Sequence, residues 1–362
     1  MRRLIYIFII GLLLCSYTWA DGSRYASKSL LSEGKWVKIR VDKTGIYKLS
    51  YADLKNMGFS DPSKVSVHGY GGWPLDEDFS KEYIDDVPST PVWRGSDYLL
   101  FYGKGPVKWE YDSSSQTFVH TNNPYSLYGY YFVTDATPTN DMTSVAQASG
   151  ATNRITTYDD YLVHEQELVS LAKSGRELYG EDFSGATPRT LSTFSSIPGI
   201  TNEDAKVTMS FVSKVTSGTG VASLSINQSN VLDVSIRSNR EEYVKALGGV
   251  STAVWKGEKS EKNSVVVSYN SASHNNVRLN YVRLHFKRTL QPYGAYTFFR
   301  SIASIGNVSR FVVQGANANT LVFDVTDAQR VRLMETELNG SELTFSIPAG
   351  TLREFVLVRT DQ

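Results

Sequence analysis

Cys15 is the only cysteine in 362 residues. That count excludes an internal disulfide, a cysteine-based zinc site and a CxxC redox pair. It also confines any thiol nucleophile to position 15. For serine chemistry the chain has no G-x-S-x-G elbow. Ser170-Leu171-Ala172-Lys173 has S-x-x-K spacing, but its S-D-N and K-T-G partners are missing, which makes it a chance tetrapeptide. His164-Glu165 opens like the zinc motif H-E-x-x-H, yet Leu168 stands where the second ligand belongs. The five histidines (His68, His120, His164, His274 and His285) are scattered, and each reads as a strand or loop residue satisfied by a nearby carbonyl.

Gly69-Tyr70-Gly71-Gly72 lacks the phosphate-loop frame and reads as a turn that needs positive φ. Asp76-Glu77-Asp78 with Asp85-Asp86 is the densest carboxylate cluster. A hard cation such as calcium would suit it chemically, but there is no EF-hand frame, and a solvated acidic loop is the alternative. The 22 tyrosines offer faces for sugar stacking, although Tyr98, Tyr102, Tyr130 and Tyr131 sit in strand patterns where packing is the usual role. No catalytic, cofactor-binding or metal residue is therefore assigned from the residues, and no cofactor is expected.

The elements that would position these groups are mostly short strands. Val37, Ile39 and Val41 alternate with Lys38 and Arg40, then Asp42-Lys43-Thr44-Gly45 reads as a turn returning Ile46–Leu49 as the second arm of a hairpin. One short helix is expected near 51–57. Ser50 caps it, Asp53 stands in its first turn, Leu54 and Met57 face inward, and Gly58 ends it. Further strands read at Val65–Val67, Tyr98–Tyr102 and Tyr130–Thr134. A Thr-, Ala-, Asn- and Ser-rich stretch at 136–151 follows as a linker. Alternation at Val207/Met209/Phe211, Ala222/Leu224/Ile226, Val265–Val267 and Val277–Phe286 argues for a β-sandwich of jelly-roll type. A last group of strands spans Phe311 to Val358, with Asn339-Gly340 as a hairpin turn. The fold class is thus all-β, with two or three sandwich or barrel domains and a jelly-roll-like middle one. The expected divisions are 21–150, 151–304 and 305–362.

Residues 1–20 precede them as a secretory signal: Arg2 and Arg3, the apolar run Leu4–Leu14, and Thr18-Trp19-Ala20 as a small-x-small cleavage site. The run is shorter than the roughly 20 residues a spanning helix needs. Acylation of Cys15 is disfavoured by Leu14 before it. Cleavage after Ala20 removes the only thiol and two arginines, leaving a net charge of about −2. Near-neutral charge gives no reason to expect nucleic acid, and no later segment is long enough to span a membrane.

One ordered series of motifs is more specific than any pattern. Gly34-Lys35-Trp36-Val37-Lys38-Ile39-Arg40-Val41 leads into Thr44-Gly45-Ile46-Tyr47-Lys48-Leu49 and Gly58-Phe59-Ser60-Asp61-Pro62. There follow His68-Gly69-Tyr70-Gly71-Gly72, Asp85-Asp86-Val87-Pro88 and Tyr98-Leu99-Leu100-Phe101-Tyr102. Gly105-Pro106-Val107, Asn123-Pro124-Tyr125-Ser126 and Gly129-Tyr130-Tyr131-Phe132 close the first part. Ser174–Phe183, Asn280–Leu284 and Asp324–Asp327 continue it. The series resembles the N-terminal region of the type IX secretion sortases, members of the gingipain-like C25 cysteine peptidases, over nearly the whole mature chain.

The resemblance implies a β-rich, non-catalytic region preceding a peptidase domain. It places the family's enzyme at the surface of Gram-negative bacteria, where it removes C-terminal secretion signals from exported cargo. No residue here matches the family's catalytic His and Cys, so no catalytic role carries over, and the peptidase domain would begin near Gln362. Three functions follow as expectations. The first is an exported interaction or scaffold module in surface-protein secretion, in the periplasm or at the outer membrane. The second is one half of a split C25 endopeptidase whose catalytic domain is a separate chain. The third is a surface carbohydrate-binding module. The expected partners are other type IX secretion or cell-surface proteins, or that separate peptidase chain.

Overall fold

The computed structural model describes residues 25–362 apart from 79, 82–83, 172, 174–175, 186–187, 240–245 and 273. The segment 1–20 expected as an export signal, with Cys15, lies outside the described residues, as do parts of the Ser170–Lys173 and Ser174–Phe183 stretches. Among the described residues the chain is all-β, with one α-helix and a few 3-10 turns. No described helix is long and apolar enough to cross a membrane.

The helix, Tyr51–Asn56, forms as its residues dictate. Ser50 Oγ accepts from Asp53 N (3.0 Å) and donates to Asp53 Oδ2 (2.6 Å), so cap and third residue satisfy each other. Leu54 is fully buried, Met57 packs against the same core, and Gly58 leaves the helix at φ +88°.

The turn after Val41 does not close a hairpin. Val37–Val41 pairs with Gly129–Thr134, whereas Gly45–Ser50 pairs with Tyr98–Gly103 in another sheet. The reason is burial. Separating the two strands lets Val37, Ile39, Val41 and Leu49 enclose one core with Phe101 and Val133, which a flat two-stranded ribbon cannot do.

Tyr98–Gly103 is apolar almost throughout because both of its faces are covered. Leu99 and Phe101 join that N-terminal core, while Leu100 and Tyr102 face a second one built with Phe323, Val356 and Val358. Glu354–Arg359 does the same on the other side, Phe355 and Leu357 facing away from Val356 and Val358.

That strand belongs to a nine-stranded sheet. Its order is Ser144–Val145, Arg332–Met334, Thr320–Asp324, Glu354–Arg359, Tyr296–Arg300, Thr157–Glu165, Val277–Thr289, Ala205–Ser213 and Leu247–Trp255. The stretch expected as a linker therefore supplies the edge strand Ser144–Val145, paired in parallel with Leu333–Met334. One half of the sheet packs on Thr219–Ile226, Ser229–Arg237 and Val265–Tyr269 around Phe183, Phe211 and Phe286. The other half packs on Asn307–Val313 and Glu342–Ala349 around Phe299, Phe311, Phe345 and Phe355. The two halves meet between Thr157–Glu165 and Tyr296–Arg300, where the pairing is the single residue pair Asp159 with Arg300. A two-residue loop at Gly340–Ser341 joins Glu337–Asn339 to Glu342–Ala349, as the Asn-Gly signal anticipates.

Candidate functional site

The single-pair seam lies at the floor of a cleft. One wall is the hairpin Val107–Asp112/Thr117–Asn122, which lies on the outer face of the nine-stranded sheet, with Trp73, Tyr102 and the bend at Asp42–Thr44 beside it. The opposite wall is Tyr158, Asp160, Tyr161, Val163, Arg288, Tyr293, Tyr296, Thr297, Phe298, Arg300 and Glu354. The cavity has a volume of about 420 Å³.

Both faces of Thr157–Glu165 contribute to it, Tyr158 and Asp160 from one and Tyr161 and Val163 from the other. On Thr157–Glu165, Leu162 packs into the sandwich core and His164 takes partners from the sandwich side, while Tyr161 and Glu165 turn to the hairpin. Tyr161 stacks on Trp109 with ring centroids 4.0 Å apart, and Phe118 packs edge-on to His285. Lys206 Nζ donates to the carbonyls of Ser115 (2.7 Å) and Gln116 (3.1 Å), tying the hairpin tip down.

Arg300 is 1% exposed. Its Nη1 donates to the Asp159 carbonyl (3.2 Å), its Nη2 donates to Glu354 Oε1 (2.6 Å), and its guanidinium lies 4.4 Å from the Tyr161 ring centroid. Burial opposes its charge, but Glu354, Tyr161 and Asp160 outweigh that and hold it firmly protonated. Arg288 Nη1 donates to Asp160 Oδ2 (2.8 Å), and its guanidinium covers Tyr293 at 3.8 Å. Beside this pair Asp159 is buried with Lys287 Nζ at 2.9 Å, His285 Nε2 at 3.1 Å and the Ile302 N–H at 2.8 Å. Burial pushes its carboxyl up, and those three contacts together pull it below the ordinary range.

The histidines are held mainly by side chains. Only His68 has the expected carbonyl, Val87 O at 3.3 Å. His120 meets Glu165 (3.0 Å), His285 meets Asp159, and His274 Nδ1 lies 2.6 Å from the Tyr269 hydroxyl. His164 meets both Glu181 (2.6 Å) and Thr193 Oγ1 (2.8 Å). The reason is register: Lys287 stands opposite Asp159 and His285 is its diagonal neighbour, contacts that follow only from strand pairing. Thr193, His164 and Glu181 form a hydroxyl–imidazole–carboxylate relay, and none of the three borders this cleft.

The acidic cluster does not converge. Asp76 pairs with Lys81 (2.5 Å), Glu77 with Arg176 (2.6 Å), and Asp78 accepts from Ser80. Asp86 accepts from Ser29 Oγ (2.7 Å) and Leu30 N (2.6 Å), and Asp85 accepts from Ala26 N. Among the described residues no three His, Cys, Asp or Glu side chains are placed to hold a metal ion. Asp76, Glu77, Asp78 and Asp86 instead border a wider cavity of about 1350 Å³ together with Glu165, Glu167 and Tyr125.

The Gly69–Gly72 run is a bulge in the strand Ser66–Gly71 rather than a turn. Gly71, at φ +86°, has no room for a Cβ, which would fall 2.8 Å from the Tyr131 hydroxyl and from Lys104 Cβ. Lys104 there is 3% exposed, with its ammonium over the rings of Tyr70 (3.9 Å) and Trp73 (4.8 Å). Burial pushes its pKa down to about 8, only partly countered by Asp327. Sequence reasoning missed Arg300, Asp159 and Lys104 because nothing in a strand of mixed polarity marks which charged side chain becomes enclosed.

No protein-family model matches the chain, and neither does any curated protein. Among solved structures it is similar to the crystal structure of dimeric latent PorU from Porphyromonas gingivalis. The identity is 30%, the TM-score 0.87, and the match covers 94% of this chain. The chain spans 33% of the length of that protein.

Proposed function

From the premise that this chain is a PorU-like region, we propose that it is an exported, non-catalytic β module that serves surface-protein secretion as a docking scaffold. The observation that carries this reading is the near-complete match to one third of PorU, a protein described as latent and dimeric. The chemistry is consistent with it. The sole thiol is Cys15, and the buried histidines pair with carboxylates or hydroxyls inside strands. In this reading the units 21–150, 151–304 and 305–362 act together, with the hairpin Val107–Asn122 and the two-faced strand Tyr98–Gly103 docking the first onto the others. The partners are type IX secretion or cell-surface proteins at the outer membrane of a Gram-negative bacterium.

The test is an assay of purified chain with reductant on peptides carrying a C-terminal secretion signal. Intact peptide is the expected result, and thiol-dependent cleavage overturns the non-catalytic claim. Adding a separate C25 peptidase chain then separates the scaffold from the split enzyme. Cleavage that appears only when both chains are present supports the split enzyme.

A further inference from the structure

We propose that the cleft between the hairpin Val107–Asn122 and the nine-stranded sheet is a binding site for a neutral saccharide. The inference goes beyond the docking role and stands independently of it. A cavity of about 420 Å³ at the junction of two packed units has the size and position of a small-ligand site. Its walls carry Trp109, Tyr293 and Tyr296, each half-buried. Such rings offer apolar faces to the C–H face of a pyranose.

The polar groups choose among ligands. Asp42, Asp160 and Glu354 balance Lys43, Arg288 and Arg300, and the two arginines are already engaged with Asp160 and Glu354. The lining charges balance and the two arginines are held by carboxylates, so the cleft favours neither sign of ligand charge, which suits a neutral polyol. Two donors at the cleft remain without a protein acceptor, the buried Nε of Arg300 and the buried Nε1 of Trp73. Both are shielded from solvent, so a sugar hydroxyl accepts from them only when the side chain turns toward it. The wider cavity differs, since Asp76, Glu77, Asp78, Glu165 and Glu167 on its border favour cations.

The test titrates the full chain with free maltotriose, mannotriose and chitotriose, and separately with inorganic phosphate, followed by tryptophan fluorescence and calorimetry. At least one trisaccharide is expected to saturate at millimolar concentration or below, and phosphate to give no saturable signal. Trp109→Ala and Tyr293→Leu should each weaken that binding by about tenfold while the variants keep a cooperative melt. If Trp109→Ala does not fold, Tyr293→Leu carries the comparison, because it keeps bulk while removing the ring. The proposal is overturned if no trisaccharide gives a saturable signal, if phosphate binds in their place, or if folded variants bind as tightly as the parent chain.

Discussion

Arg300 and Lys104 are both cations sealed from water, and the two regions that hold them treat charge in opposite ways. At the seam, Arg300 has Glu354, Asp160 and a backbone carbonyl, and stays charged against the cost of burial. In the N-terminal unit, Lys104 has two aromatic faces and no ion pair among the described residues, and its pKa falls to about 8. Burial alone does not decide protonation; the number and geometry of opposing charges do. The seam needs its charges more. One apolar core crosses it through Tyr158 and Phe299, but the backbone there contributes only one paired residue.

The largest effect should come from breaking the seam. Arg300→Ala leaves Glu354 without its buried cation, while Asp160 keeps Arg288, and should cost about 3–5 kcal/mol by chemical denaturation. The double change Arg300→Met, Glu354→Gln should recover most of that loss, because it removes that pair together and leaves Asp160 on Arg288. If it does not recover, the seam is held by shape and not by charge.

Asp159→Asn comes next, at about 2–3 kcal/mol at neutral pH, since Lys287 and His285 lose their acceptor. The folded pKa of Asp159 is depressed, so its contribution is complete above the unfolded value of about 3.9 and is lost as pH falls through the lower folded value. Melts between neutral and acid pH should therefore show a shallower acid loss in the variant than in the parent. An unchanged acid limb would remove Asp159 from the account.

Lys104→Met should act in the other direction, raising stability by about 1 kcal/mol at pH 7. Between the folded value near 8 and the unfolded value of about 10.4, the unfolded chain binds more protons, so parent stability should rise with pH across that window. The variant should lack that rise. A destabilised Lys104→Met would show that the two aromatic contacts outweigh desolvation.

The smallest effect belongs to the surface. Lys81→Ala removes an exposed pair with Asp76 and should change stability by less than about 0.5 kcal/mol, as a denaturation midpoint would show.

Much of the local structure was legible. The helix follows from Ser50, Asp53, Leu54 and Gly58, which act within a few residues of one another. The strands at Val207–Phe211 and Ala222–Ile226 follow from period-2 alternation. Where reading failed, the cause was a distant partner. Val41 and Gly45 flank a convincing turn, but each strand found its mate far along the chain. His164 and Glu165 are neighbours in sequence and opposite in space, because a strand sends successive side chains to opposite faces. The candidate cleft was less legible still. No motif singles out Tyr161 or Trp109, and nothing local indicated that Arg288, Arg300 and Glu354 would gather beside them.

By itself the sequence determined the all-β class, the one short helix, the position of the only thiol and the likeness to the C25 family region. These depend on residue types and short-range spacing. Tertiary structure alone decided that one sheet would run through two sandwiches, that a single residue pair would join its halves, and which charged side chains would be enclosed there. Those outcomes depend on pairings such as Thr157 with Thr289 and Asp159 with Arg300, more than a hundred residues apart, and pairing register is a property of the whole packed sheet.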